Sequence, residues 1–353
     1  MVGAIIEEAT RQPLDEYMTK AVYNRFGMRN TTTKRSSLHS ENIAKPYASD
    51  SKGTPVGLRS AMMFEDSLFE AAGGAYSNID DMLSYASTIL SAYRDDSNSN
   101  LMLKTMLSGQ IPVFSPAFRE RSYGMGWIRT QLPGTLGVMG GNPPIQGGLR
   151  RLPELGVGSP SKLCIYHQGS TVGYFSNIAL FPETGSAIVV LANSIALTDS
   201  PDTISQALIQ ALFNFPDPID FVAFTEDSAR KFVKQYENQA AEIASMRREG
   251  TQRFSSDKYT GRYTNELNNF VLGIQLGLNN NTLKMLFQGK KTQQYELRHL
   301  QDDIFEWSLS LDDEAKRGKF HISSVYYFLV EFHATQGGLD HLIWLGKCLR
   351  KIE

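Results

Sequence analysis

At 353 residues the chain is too long for one ordinary domain of about 150 residues, and two unequal domains are expected. Hydrophobic residues at 41% and charged residues at 20% describe a globular protein and exclude collagen-like, disordered and disulfide-rich classes. A formal net charge of -2 gives no basic field, so nucleic acid is not expected as a partner.

Met1 to Glu8 has the pattern of the interior of an amphipathic helix with no capping residue ahead of it, as if the chain began in mid-element. Pro13 can open a second helix, in which Leu14, Tyr17, Met18, Ala21 and Val22 recur at helical spacing until Gly27. Asn30 to about Ser60 reads as loop. Ser77-Asn78-Ile79-Asp80 is a cap-like start for a helix whose face carries Ile79, Met82, Leu83, Ala86, Leu90 and Tyr93. Leu136 to Ser161, dense in Gly and Pro, should be an irregular surface excursion.

A strand from Leu163 to Tyr166, continuing through Tyr174 to Phe181, is followed by the turn Pro182-Glu183-Thr184-Gly185 and a second strand, Ala187 to Ala192, making an antiparallel hairpin. The longest apolar stretch, Ser186 to Leu197, falls short of the roughly 18 apolar residues of a spanning helix. Ile204 to Phe213 returns to helical spacing, and Thr225 to Glu249 is a charged connector helix ended by Gly250. From Tyr259 onward, alternating runs over 270–278, 283–287, 295–300, 305–309, 320–332 and 339–345 imply a small antiparallel sheet or barrel. The fold class is therefore α+β, with domains expected over 1–222 and 253–353 and a helical connector over 223–252.

The two cysteines, Cys164 and Cys348, lie far apart and outside any C-x-x-C, which argues against a disulfide framework and for a reducing, cytoplasmic setting. Glu7 and Glu8 stand where a signal peptide needs basic residues, so neither an export signal nor a membrane anchor is expected.

The most pointed segment for chemistry is His167-Gln168-Gly169-Ser170-Thr171-Val172-Gly173, a polar, Gly-rich bend that interrupts an apolar strand where backbone must approach a ligand. With its flanks Tyr166 and Tyr174-Phe175-Ser176, and with Phe181-Pro182-Glu183 and Val189 to Ser194, it resembles the third motif and following hairpin of the serine β-lactamase and DD-peptidase-like family. The form resembled is the His-x-Gly variant of Lys-Thr-Gly found in the class C and esterase branches. Other pieces fall in the family's order: Gly3-Ala4-Ile5-Ile6-Glu7 with Thr10 and Pro13, Phe26-Gly27-Met28-Arg29-Asn30-Thr31, Ala72-Gly73-Gly74-Ala75-Tyr76-Ser77 with Asp80, and Tyr123-Gly124-Met125-Gly126-Trp127. This resemblance spans roughly 1–215. The segment opening Tyr259-Thr260-Gly261-Arg262-Tyr263 resembles the lipocalin-like C-terminal domain of some members. It implies a partial β-lactamase-like domain, an antiparallel sheet with helices, ahead of the β domain.

The resemblance implies acyl-enzyme chemistry on an amide, β-lactam or ester, with His167, Gln168, Gly169 and Ser170 on the pocket strand and the Ser170 N–H as half of an oxyanion hole. The family's Ser-x-x-Lys and Tyr-x-Asn normally precede the helix with which this chain begins, and neither is found in its place. Ser49-x-x-Lys52, Ser159-x-x-Lys162 and Ser228-x-x-Lys231 have the spacing, as do Tyr236-x-Asn238 and Tyr263-x-Asn265, but on unsuitable elements. The expectation is a family member that is a fragment or inactive as written, with no complete catalytic set. The alternative is a non-catalytic pseudoenzyme that binds a small molecule or a protein. An acyl compound is the expected partner if upstream sequence completes the site, and uncovered apolar surface would favour self-association. His321, His333 and His341, with Glu331, are read as residues of a solvated sheet face rather than metal ligands, so no metal and no cofactor are expected. Tyr326-Tyr327-Phe328 reads as a core strand.

Overall fold

A computed structural model of the chain describes residues 2–38, 42–58, 69–95, 101–113, 119–277, 282–336 and 338–352. Met1, the end of the expected loop at Ser60 and the end of the expected strand at Leu278 lie outside the described residues. Contacts divide the chain into two compact units, Met1–Phe232 with Ala315–Lys319, and Val233–Glu314 with Phe320–Glu353.

The first unit opens with α1 (Val2–Thr10) and α2 (Leu14–Met18), the latter running on as a π-helical turn over Thr19–Tyr23. Pro13 is the residue before α2 rather than its first, and the Leu14 N–H donates to Glu7 Oε1 at 3.0 Å, so the side chain of α1 satisfies an orphan donor of α2. The expected loop contains two short strands, β1 (Tyr47–Ser49) and β2 (Pro55–Gly57). Asp50 makes them possible: its Oδ1 accepts the N–H groups of Lys52 and Thr54 at 2.9 and 2.7 Å and closes the turn.

After α3 (Glu70–Gly73) comes α4 (Ile79–Arg94), whose cap is Asn78, accepting from Asp81 N at 2.9 Å. Ser77, one residue earlier, shares its hydroxyl with Thr31 at 2.8 Å instead of capping. Next are α5 (Leu101–Leu107), β3 (Ile111–Pro112), β4 (Arg121–Tyr123), β5 (Ile128–Leu132) and α6 (Asn142–Gln146). They lead into β6 (Lys162–Thr171), β7 (Tyr174–Phe181), β8 (Ser186–Ala192), β9 (Ser194–Ile195), α7 (Ser200–Phe213) and α8 (Phe221–Met246). Strands β3 to β8 form one antiparallel six-stranded sheet in chain order, and β2-β1-β9 a small second sheet.

The single strand expected to pass from Tyr166 to Phe181 is two strands, because Val172-Gly173 reverses the chain in two residues. Gly173 has φ +85°, and a Cβ there would stand 2.3 Å from Pro46 Cβ, so neither the dihedral nor the space admits a side chain. Alternation then sorts the sheet residues. Leu163, Ile165 and Leu180 pack with Ala86, Ile89, Leu90 and Leu107 on one face, while Cys164, Tyr166, Ala179, Phe181 and Ile188 pack with Leu136, Leu155, Ile209 and Phe215 on the other. The stretch from Leu136 to Ser161 is irregular as expected, yet it is no surface excursion: Leu136, Val138, Asn142, Ile145, Gln146 and Leu155 are buried. Its apolar residues, spaced among glycines, cover one face of the sheet, and each fully buried one contributes about 1.5–3 kcal/mol.

In the second unit, α9 (Ser256–Tyr259) precedes β10 (Gly261–Thr264), β11 (Val271–Leu276), β12 (Leu283–Phe287), β13 (Gln294–Gln301) and β14 (Ile304–Glu306). Then come α10 (Leu311–Arg317), of which only the residues up to Glu314 are counted in this unit, β15 (Leu329–Thr335), β16 (Gly338–Trp344) and β17 (Lys347–Lys351). Strands β10 to β17 close into a barrel in chain order, each neighbour antiparallel. The strand expected over 320–332 begins only at Leu329, because Val325–Phe328 is a 3-10 turn in which Phe328 is buried and Tyr326 exposed. The barrel core is filled with aromatic rings: Phe332 meets Tyr259, Tyr263 and Phe305 edge to face at 5.0, 5.6 and 5.6 Å. A small barrel filled in this way is a packed core. Among the described residues no helix is long and apolar enough to cross a membrane.

Candidate functional site

Strand β6 passes from core to surface along its own length. Leu163 to Tyr166 are buried, His167 and Gln168 half-buried, and Gly169 and Ser170 exposed. Strand β5 pairs with it only from Lys162 to Tyr166, whereas β7 follows it to Thr171. From His167 onward, the β5 side of β6 is therefore an edge whose backbone groups have no strand partner among the described residues. Such an edge offers main-chain hydrogen bonds to an extended or carbonyl-bearing ligand.

The four residues singled out in the sequence lie together on that segment, with alternate ones on opposite faces. His167 is held at both ring nitrogens: Nε2 lies 3.2 Å from Tyr123 Oη and Nδ1 2.5 Å from the Gln168 carbonyl. Tyr123 and His167 also meet edge to face at 5.9 Å. Gln168 points to the other face, where Nε2 donates to Asp202 Oδ1 at 3.2 Å.

Asp202 and its neighbour Asp199 were not singled out in the sequence. Asp199 precedes α7 and caps it, accepting from Asp202 N at 3.3 Å and from Gly141 N at 2.9 Å. Asp202, 2% exposed, accepts from Asn142 Nδ2 and Gln206 Nε2, both at 3.1 Å, besides Gln168. Burial, then the charge of Asp199, push the Asp202 carboxyl up to about 7 against the three amide donors. Asp199 is raised as well, by burial, opposed by the Gly141 and Asp202 N–H groups. The signal in the sequence was the Asp-x-x-Asp at the start of a helix, which is ordinarily read as capping and nothing more.

The Ser-x-x-Lys spacings are placed in structural roles. Ser228 is fully buried in α8, donates to the Phe224 carbonyl at 2.8 Å and accepts from Gln146 Nε2 at 2.7 Å. Lys231 Nζ bonds to Asp227 at 2.6 Å and Gln146 Oε1 at 2.7 Å rather than to Ser228. Ser49 Oγ donates to the Asp50 carbonyl and Ser159 Oγ to that of Gly156. Tyr236 donates to Glu314, and Tyr263 to the Tyr259 carbonyl at 2.8 Å.

Of the C-terminal histidines, His333 and His341 are opposite residues of β15 and β16 with rings stacked at 4.9 Å, and Glu331 lies 3.2 Å from His333. His321 is not on the sheet face expected for it: it is half-buried outside any strand, and its ring meets that of Tyr236 at 4.2 Å with a tilt of 42°. Among the described residues no group of three His, Cys, Asp or Glu side chains is arranged to hold a metal ion.

The family model described as Beta-lactamase matches residues 1–211, and one described as a domain of unknown function, DUF3471, matches residues 247–345. No curated protein matches the chain. Among solved structures, the octameric penicillin-binding protein homologue from Pyrococcus abyssi is similar at 18% identity over 99% of this chain and 62% of that one, with a TM-score of 0.44. A β-lactamase from Sulfitobacter sp. EE-36 is similar at 21% identity over 60% of this chain and 57% of that one, with a TM-score of 0.44. A class C β-lactamase from Rhodobacter sphaeroides follows at 18% identity, 60% and 57% coverage and a TM-score of 0.42. The chain thus spans between half and two thirds of the length of these proteins. With the family match covering more than half of the 353 residues, the chain belongs to the beta-lactamase family.

Proposed function

We propose that the open edge of β6, with His167, Gln168, Gly169 and Ser170, is the acyl-binding wall of a β-lactamase-family serine hydrolase, and that the 353-residue chain by itself forms no acyl-enzyme. Its ligands are small acyl compounds: amides, β-lactams or esters. The backbone edge would hold the acyl group, and the Ser170 N–H would face the developing oxyanion. A nucleophile held within hydrogen-bond reach of a base is needed to use that polarisation. The observation that carries the second half of the reading is the commitment of Ser228, whose hydroxyl is sealed in α8 and bonded to Phe224 and Gln146, with Lys231 turned to Asp227. The chain is on this reading a binding surface of a hydrolase family without turnover of its own.

The test combines two measurements on the 353-residue chain with benzylpenicillin and p-nitrophenyl acetate. Intact mass is expected to show no stoichiometric adduct, and hydrogen exchange with benzylpenicillin present is expected to show added protection at 167–171. An adduct mapped to one serine and abolished by its replacement with alanine overturns the inactivity. Protection that avoids 167–171 overturns the binding wall.

A further inference from the structure

Strand β8 ends the six-stranded sheet. It pairs with β7 over all 7 of its residues without a bulge, and its other edge is bonded to no main chain among the described residues. An edge of this kind is a template for a further strand, and proteins that keep one free blunt it with a charge, a proline or a bulge. Ser186-Ala187-Ile188-Val189-Val190-Leu191-Ala192 has none of the three, and Leu191 is 43% exposed.

Helix α7 lies against the same end of the sheet, over β7 and β8 alike. Its only charged residue, Asp202, is buried, and a helix with no charge on its outer face has the pattern of an interior helix. The two flanks of α7 differ. On one, Thr203 Oγ1 accepts from Asn142 Nδ2 at 3.3 Å and Gln210 bonds the main chain of Ile219, while Gly140, just before Asn142, lies against Gln168 of β6. Ile204, Leu208 and Leu212, spaced i, i+4 and i+8, form the opposite flank, which therefore looks toward the free edge of β8; they are 47%, 46% and 51% exposed. Strand edge and apolar flank are thus uncovered on the same side of the first unit.

We propose that this side joins two copies of the chain: β8 of one pairs antiparallel with β8 of the other about a two-fold axis, and the two α7 helices pack flank to flank over the joined sheet. An occupant has to bring a free strand edge and, on the same face of the sheet, an apolar helix flank. A second copy does so by construction, since a two-fold presents one surface to itself. The spacing fits. Strands lie about 4.8 Å apart, so a helix centred between β7 and β8 is about 5 Å from the axis and about 10 Å from its copy, within reach of the packing distance of helices. No charge on β8 or on the α7 flank meets its like across the axis. Pairing satisfies the main-chain groups that the edge leaves open and covers the apolar side chains in the same step. This side is separate from the candidate site, because the open edge of β6 lies on the far side of β7.

The test is the mass of the full chain by light scattering across a dilution series, with hydrogen exchange measured at its two ends. Twice 39.4 kDa is expected at the concentrated end, giving way to 39.4 kDa on dilution. Amides within 186–192 are expected to exchange several-fold faster in the monomer, and those of the barrel strands equally in both. Leu208→Lys puts an ammonium group on each of the facing flanks at an exposed position and is expected to weaken the dimer by about 100-fold. A monomer throughout, whether or not another polypeptide lies along β8, overturns the proposal, as does a mass that climbs past two copies, because a two-fold contact closes. A dimer that Leu208→Lys leaves intact overturns it equally. Should Leu208→Lys not fold, exchange in the unaltered chain decides: equal rates at 186–192 before and after dissociation overturn the pairing of β8.

Discussion

Glu306 is a buried charge whose removal should destabilise the barrel. It is 2% exposed at its side chain, and Arg298 grips it with two hydrogen bonds, Nε to Oε1 at 2.5 Å and Nη2 to Oε2 at 2.9 Å. Arg247 adds a third at 3.0 Å, and the N–H and hydroxyl of Ser308 fill Oε2 at 2.9 and 2.8 Å. In Glu306→Gln an NH2 group meets a guanidinium donor where an oxygen accepted before, and the two arginines lose their counter-charge. Breaking a fully buried pair costs about 3–5 kcal/mol. Arg298 and Arg247 keep 41% and 32% exposure and recover some hydration, which brings the expected loss to about 2–4 kcal/mol. Urea unfolding read by tryptophan fluorescence measures it in a Trp127→Phe background, where Trp307 and Trp344 of the second unit are the remaining tryptophans. Burial raises the Glu306 carboxyl, but the bonds and charge of Arg298 and the bonds of Ser308 outweigh it and hold it below its usual 4.5. A depressed carboxyl contributes stability that is whole above 4.5 and lost as pH falls through the lower folded value, so Glu306→Gln should also lose this acid limb. A midpoint equivalent to less than about 0.5 kcal/mol of loss, the range of ordinary surface substitutions, would refute the reasoning.

Two further outcomes follow from the first unit and the thiols. Gly173→Ala must place a side chain at φ +85° and 2.3 Å from Pro46 Cβ, so we expect a loss of about 1–3 kcal/mol in urea unfolding of the first unit, and an unchanged midpoint refutes the placement of the β6–β7 turn. Cys348 is exposed whereas Cys164 is fully buried, and burial pushes its thiol well up; a chromogenic disulfide reagent should therefore titrate one thiol per folded chain and two in denaturant, and two in the folded chain refutes the burial of Cys164.

Period and punctuation carried the sequence reading furthest where a local pattern decides the outcome. The helix from Ile79 was visible in its spacing, and the error at its start is one residue, because Asn78 and Ser77 are both good caps and only the distant Thr31 hydroxyl settles which one turns inward. The reversal at Val172-Gly173 was legible only as a bend interrupting one strand, because both flanks are strand-like and the reversal is only two residues long; Pro46, which leaves no space for a Cβ there, is remote in sequence. The region from Leu136 to Ser161 was correctly irregular but misplaced at the surface. Glycine and proline content speaks to backbone regularity, whereas burial is decided by the few apolar residues between them, such as Leu136 and Leu155.

The candidate site shows a sharper limit. Strand motifs are contiguous, so His167 to Ser170 could be found by reading along the chain. The pair behind them could not, since its bonds link residues 34 and 57 apart in sequence, Gln168 to Asp202 and Asp199 to Asn142. An aspartate at a helix start looks the same whether its carboxylate is solvated, paired or sealed against another. What separates the cases is the counter-charge. Glu306 is as buried as Asp202, at 2% each, yet two arginines hold it ionised, while Asp202 has amides and a second carboxylate. The two sites then answer pH in opposite senses. The Asp202 site, its carboxyl raised from 3.8 to about 7, contributes most stability below 3.8 and loses it as pH rises through neutrality, whereas the Glu306 site loses its contribution only in acid. The two contributions are therefore separable in one chain, and Asp202→Asn and Glu306→Gln each remove one of them.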